Sequence, residues 1–168
     1  MRASHGPRWI TVFGLGGMRP ASGTWGSLPP VIIAGALWAA GHGPTQSPWL
    51  FHGVQIALLV VFSAACILQG SAAEAYYGKK DPSNAVADET AGQTLSLMLL
   101  PAVAWDSPWH AGLTLLAAFL AFRICDIIKP WPARQLQAIP GGLGILIDDL
   151  LAGLYAAAIV QVLTRTAF

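Results

Sequence analysis

From Leu50 to Ala73 the chain runs for 24 residues without an aspartate, glutamate, lysine or arginine. About 20 predominantly apolar residues are what an α-helix needs to cross the hydrocarbon core of a bilayer. In water such a stretch would have to be buried on every side, and the rest of the chain is too poor in charge to cover it. Only 10% of the 168 residues are charged and 55% are apolar, with a mean hydropathy of +0.57. Soluble domains carry roughly 25% charged residues. A bilayer is therefore the expected solvent. The expected fold is all-α, a polytopic membrane helical bundle of about five transmembrane or re-entrant helices. The length suits a single membrane-embedded domain over residues 1–168.

Four further apolar segments accompany Leu50–Ala73. Leu28–Ala40 extends back through Trp25, and its Pro29-Pro30 pair suits the first turn of a helix. Thr90–Trp105 is the weakest, because Pro101 interrupts it. Ala111–Ile128 carries Arg123 and Asp126 in its last turns, and Ile145–Leu163 opens with Asp148 and Asp149. No apolar run begins early enough for a cleavable signal, so the membrane segments are expected to persist in the mature protein. Cys66 and Cys125 sit inside apolar runs without metal-ligand spacing and read as small buried hydrophobes. A net charge of +1 and the lack of a basic patch interleaved with aromatics exclude nucleic acid as a partner.

Positive charge predicts the orientation. With a cytoplasmic N-terminus and five crossings, Arg2, Arg8, Arg19, Lys79, Lys80, Arg123, Lys129 and Arg134 share the inner side, and only Arg165 lies outside. Lysine and arginine favour the cytoplasmic side, so this arrangement is the expected one. It also gathers Asp81, Asp88, Glu89, Asp126, Asp148 and Asp149 at the cytoplasmic ends of the segments. His42, His52 and His110 fall at the opposite face.

Four stretches carry the chemistry. Asp81-Pro82 is expected to cap a helix that runs on to Asp88-Glu89 and Gly92. Two adjacent carboxylates at the edge of an apolar segment repel each other unless a cation lies between them. Arg123, Asp126 and Lys129 recur every three residues and so share a helix face offering one anionic and two cationic groups. Gly141-Gly142-Leu143-Gly144 leads into Asp148-Asp149, a glycine-rich turn at a helix start followed by a second acid pair. Oxygen ligands without cysteine or histidine select a hard cation, which favours Mg²⁺ over Zn²⁺. Finally, the segment from Phe13 to Ser27 reads as a glycine-rich loop whose hydroxyls and Arg19 wrap an anionic headgroup.

At these residues the chain resembles the phosphatidylglycerophosphatase A family. The matching pieces are Ser22-Gly23-Thr24-Trp25-Gly26-Ser27, Asp81-Pro82 with Asp88-Glu89 and Gly92, Phe122-Arg123 with Asp126, Lys129-Pro130 and Pro132, and Gly141-Gly142-Leu143-Gly144-Ile145 with Asp148-Asp149. Ser22 departs from the proline the family often has before Gly-Thr, and residues 40–75 match only in being hydrophobic. The resemblance implies a bacterial inner-membrane enzyme that hydrolyses phosphatidylglycerophosphate to phosphatidylglycerol and inorganic phosphate with Mg²⁺.

Charge logic then distributes the roles. Asp88, Glu89, Asp126, Asp148 and Asp149 are expected to hold the metal, with one carboxylate, Glu89 the candidate, as general base. Arg123 and Lys129 are expected to clamp the phosphoryl oxygens. Arg19, Thr24, Ser27, Arg134 and Gly142 are expected to bind the lipid substrate. The competing reading is a membrane transporter or ion-path protein. Transport favours acids near the midplane and an internal repeat, whereas here the acids are interfacial and no repeat is visible.

Overall fold

A computed structural model describes residues 7–168; Arg2 of the inner-side cation set lies outside them. The described residues are all-helical. The helices are α1 (Ser22–Ala39), α2 (Pro48–Tyr77), α3 (Ala87–Ser96), α4 (Pro108–Ile128), α5 (Ala133–Leu136) and α6 (Gly142–Ala167), with 3-10 turns at Val12–Gly17 and Ala102–Trp105.

Three of them, α2, α4 and α6, are long and apolar enough to cross a membrane. Their outward faces display Val60, Leu68, Leu116, Leu120, Leu154 and Val162 to the surroundings. An apolar surface of that extent is stable against lipid tails and unstable in water. Exposed Trp49 and Trp109 mark one end of the bundle, and exposed Tyr76 and Trp131 mark the other. Amphipathic rings favour those two depths, where an apolar body meets a wet headgroup layer.

The segment expected over Thr90–Trp105 joins the two ends of the bundle but is not a continuous helix. At its start the Val86 and Ala87 N–H groups donate to the Ile10 carbonyl. At its far end the Trp105 carbonyl accepts from Trp38 Nε1 at 2.8 Å, and the Trp105 ring packs edge-on against Phe51. Between these, α3 ends at Ser96, and Leu99 adopts a left-handed φ of 56°. A 3-10 turn follows Pro101. Non-helical backbone at membrane depth survives only when protein surrounds it. That condition is met, because α3 is enclosed by α1, α2, α4 and α6. Its hydroxyls are satisfied within the fold: Thr90 Oγ1 donates to the Gly26 carbonyl at 2.7 Å and Thr94 Oγ1 to the Thr90 carbonyl at 2.8 Å.

Two local expectations change. Asp81 does not cap a helix; it sits in a turn at φ 45°, and α3 starts six residues later at Ala87. The Asp81 N–H donates to Glu74 Oε1, and its carboxylate accepts from Gln137 Nε2, so it ties the α2 end to the loop after α5. Ser22–Ser27, expected as loop, is the opening of α1. The helical form is stable there because Gly23 and Gly26 let α1 lie directly against Glu89, Arg123 and Val86.

Candidate active site

The first turn of α3 delivers Asp88 and Glu89, and the second turn of α6 delivers Asp149. Their carboxylate oxygens lie within 4.8 Å of one another. What brings the two helices so near is the absence of side chains at the crossing. A Cβ on Gly92 would meet the Asp149 carbonyl, and a Cβ on Gly153 would meet the Gly92 carbonyl. Small residues let helix backbones touch in a membrane.

The acids of this cluster are buried and incompletely paired. Asp88 is 5% exposed and Asp149 is 2% exposed, while Glu89 is half-buried. Asp88 Oδ1, Glu89 Oε2, Asp149 Oδ2 and, beside them, Asp148 Oδ1 have no hydrogen-bond partner. A buried acceptor left unpaired costs about 1–3 kcal/mol, and more when charged. Three carboxylates with free oxygens converging on one point form a donor set that fits a hard divalent cation.

Two cations stand around the cluster, each tied to a carboxylate. Arg123 Nη1 lies 2.6 Å from Asp126 Oδ2 and donates to Ser27 Oγ at 3.4 Å. Gly23 is the floor beneath it: a Cβ there would stand 2.5 Å from Glu89 Oε1 and 2.9 Å from Arg123 Nη1. Lys129, in a left-handed conformation just past the end of α4, reaches across to Asp148 on α6. Burial alone would lower the Lys129 pKa. The hydrogen bond and charge of Asp148, with Asp149 and Asp126 behind it, outweigh burial and hold it above the ordinary lysine value.

Of the five acids expected around a metal, the fold therefore places three together and sets the other two in ion pairs, Asp126 with Arg123 and Asp148 with Lys129. The residues expected to bind substrate are more dispersed. Ser27 is fully buried and braces Arg123 from below. Thr24 is half-buried in the first turn of α1. Arg19 lines a cavity of about 220 Å³ with Ser22, Ser83 and Asn84. Arg134 lines another, of about 550 Å³, with Lys79 and Lys80. Gly142 has no room for a Cβ, which would meet the Cys66 carbonyl, so here it is a helix-packing residue. Gly23 is the contributor that sequence reasoning passed over as a site residue. Its signal was its place between two hydroxyl residues in the Ser22–Ser27 stretch that carries the resemblance.

The profile of the family described as phosphatidylglycerophosphatase A matches residues 9–164. A Haemophilus influenzae protein named phosphatidylglycerophosphatase A is 37% identical over 153 residues, covering 88% of this chain and 82% of its own length. An Escherichia coli protein of the same name is 36% identical over 149 residues, covering 88% of this chain and 77% of its own. A Bacteroides thetaiotaomicron protein provisionally named a phosphatidylinositol-3-phosphatase is 34% identical over 152 residues, covering 90% and 89%. No solved structure gives a significant match.

Proposed function

Because this chain belongs to the phosphatidylglycerophosphatase A family, we propose that the Asp88–Glu89–Asp149 cluster is where it cleaves the phosphomonoester of its lipid. The enzyme is a phosphoric monoester hydrolase that converts phosphatidylglycerophosphate to phosphatidylglycerol and inorganic phosphate. The observation that carries the location is the convergence of three carboxylates with unpartnered buried oxygens from two different helices.

Asp88, Glu89 and Asp149 would hold Mg²⁺. When bound, the ion supplies Lewis-acid neutralisation of the phosphate charge, which a cluster of carboxylates alone would repel. Glu89 is the one half-buried acid of the three. As the least buried of the three, it would take the proton from the attacking water. Arg123, braced by Asp126 and Ser27, lies beside Glu89 and balances charge gathering on the phosphoryl oxygens. Lys129 adds a second positive charge on the α6 side while keeping Asp148 compensated. The acyl chains remain against α2, α4 and α6, so the lipid is hydrolysed without leaving the bilayer.

Seven of the cations counted on the inner side lie in the described residues, and we place this end of the bundle at the cytoplasmic face of the bacterial inner membrane. Purified protein is expected to release phosphate from phosphatidylglycerophosphate with Mg²⁺ and to stop with EDTA. Asp88→Asn and Asp149→Asn are each expected to lower turnover at least about a thousandfold with expression retained. Phosphatidylinositol 3-phosphate serves as the comparison lipid, since a relative bears that substrate in its name. Metal-independent release, or full turnover by both variants, would refute the assignment.

A further inference from the structure

A cavity separate from the acidic cluster opens at the same end of the molecule. It is the cleft of about 550 Å³ lined by Lys79, Lys80, Asp81, Arg134, Gln137 and Ala138. We propose that this cleft is a second anion subsite, which holds the phosphodiester of the lipid substrate while the terminal phosphomonoester sits at Asp88, Glu89 and Asp149. The proposal rests on the reading of phosphatidylglycerophosphate as substrate, and it adds the group that distinguishes that lipid from one bearing a single phosphate.

Charge is the first argument. The chain has only nine lysines and arginines, and three of them line this one cleft. Among the described residues, Arg123 and Lys129 are already paired with carboxylates, whereas Lys79, Lys80 and Arg134 enter no ion pair. The single acid in the cleft, Asp81, is engaged by Gln137 Nε2 at 2.9 Å. Of the five cations at this end that enter no ion pair among the described residues, three line this cleft while Arg8 and Arg19 lie outside it, and against the one carboxylate of Asp81 the lining keeps a net charge of +2.

The backbone is arranged to keep it there. Gly78 ends α2 in the left-handed region at φ 66°, and Asp81 repeats that conformation at φ 45°. These two turns fold Lys79 and Lys80 back over the loop that follows α5, and Lys80 Nζ donates to the Ala138 carbonyl at 3.1 Å. A non-glycine residue in the left-handed region is uncommon and is retained where surrounding structure demands it.

Position is the third argument. Gln137, which lines the cleft, and Ile139 just after it lay their carbonyls against Gly144 of α6, one turn before Asp148. Exposed Tyr76 and Trp131 flank the same region and set it at headgroup depth. A glycerol bridge separates the two phosphates of the substrate, so with one at the acidic cluster the other must lie close by. The second phosphate is anionic and is repelled by the carboxylates. A neighbouring cleft of free cations is the complementary surface.

The test is the Lys79→Gln/Lys80→Gln double variant, assayed in neutral-detergent micelles with saturating Mg²⁺. A contact made equally in the ground and transition states changes KM and leaves kcat. The expected result is a KM for phosphatidylglycerophosphate raised about tenfold with kcat within about twofold, the size of losing charge-assisted contacts. The product phosphatidylglycerol keeps the phosphodiester, so its inhibition constant should rise by the same factor. Inhibition by inorganic phosphate should not change, and Lys79→Arg/Lys80→Arg should behave as wild type. A parallel loss of inhibition by inorganic phosphate would put the cleaved phosphate in the cleft and overturn the proposal. So would a KM effect seen only when phosphatidylserine is added to the micelles, which would make the lysines a general anchor to anionic lipid. Unchanged KM and inhibition constants would overturn it as well. Wild-type protein that releases no phosphate at all would sink the underlying substrate reading, and the subsite with it.

Discussion

Adding one methyl group at Gly92 tests whether helix spacing, rather than the acids alone, builds the site. A Cβ at this position would stand 2.7 Å from Phe122 Cε2 and 2.9 Å from the Asp149 carbonyl carbon, with the Asp149 carbonyl oxygen closer still. Two of these three atoms are backbone of α6, and no rotamer relieves them. Gly92→Ala must therefore push α3 from α6 by roughly 1 Å, a misplacement able to cost about a hundredfold in rate when it separates reacting groups. Asp88 and Glu89 move with α3 while Asp149 moves with α6, so the carboxylate cluster opens along the same direction. Overpacking of this kind destabilises by about 1–3 kcal/mol. The expected outcome is turnover reduced about a hundredfold, a higher Mg²⁺ concentration for half-maximal rate, and a lower unfolding temperature in detergent. Gly112→Ala is the control, because a Cβ there meets nothing within 4 Å. It should leave turnover unchanged. If Gly92→Ala keeps wild-type turnover and metal dependence, the claim that the α3–α6 contact sets the cluster geometry is refuted.

Other consequences follow from the ion pairs. Lys129→Gln leaves the buried Asp148 uncompensated and should destabilise by about 3–5 kcal/mol, read from thermal unfolding in detergent. Because the folded Lys129 pKa is raised, its contribution is fully present below the ordinary lysine value of about 10.4 and is lost only as pH rises above it. The stability gap between wild type and Lys129→Gln should accordingly stay constant from neutral pH to about 10 and narrow beyond. Arg123→Lys keeps the charge but loses the guanidinium whose Nη1 contacts both Asp126 and Ser27, and kcat should fall about tenfold or more with little change in stability. Gly23→Ala intrudes on Glu89 and Arg123 together and should lower kcat without altering expression, measured by phosphate release and yield of folded protein.

Much of this protein is local information. The uncharged run Leu50–Ala73 dictates a membrane span because no other solvent accepts it. The paired acids Asp88-Glu89 and Asp148-Asp149 announce a site because adjacent carboxylates on apolar helices demand compensation. Which compensation each receives is a matter of tertiary structure alone. Helical spacing makes Arg123, Asp126 and Lys129 look like one face, yet Lys129 turns past the helix end to Asp148 while Asp126 keeps Arg123. Asp148 and Asp149 are neighbours in sequence, but a 100° step around α6 sends one to a lysine and the other to α3. Likewise, Thr90–Trp105, which Pro101 made the weakest span in sequence, is solvated by other helices instead of lipid, and only the packing of α1, α2, α4 and α6 around it makes that visible. Pairing and burial depend on residues distant in the chain, and so the acids could be found in the sequence while their division between the three-carboxylate cluster and the ion pairs could be decided only by the fold.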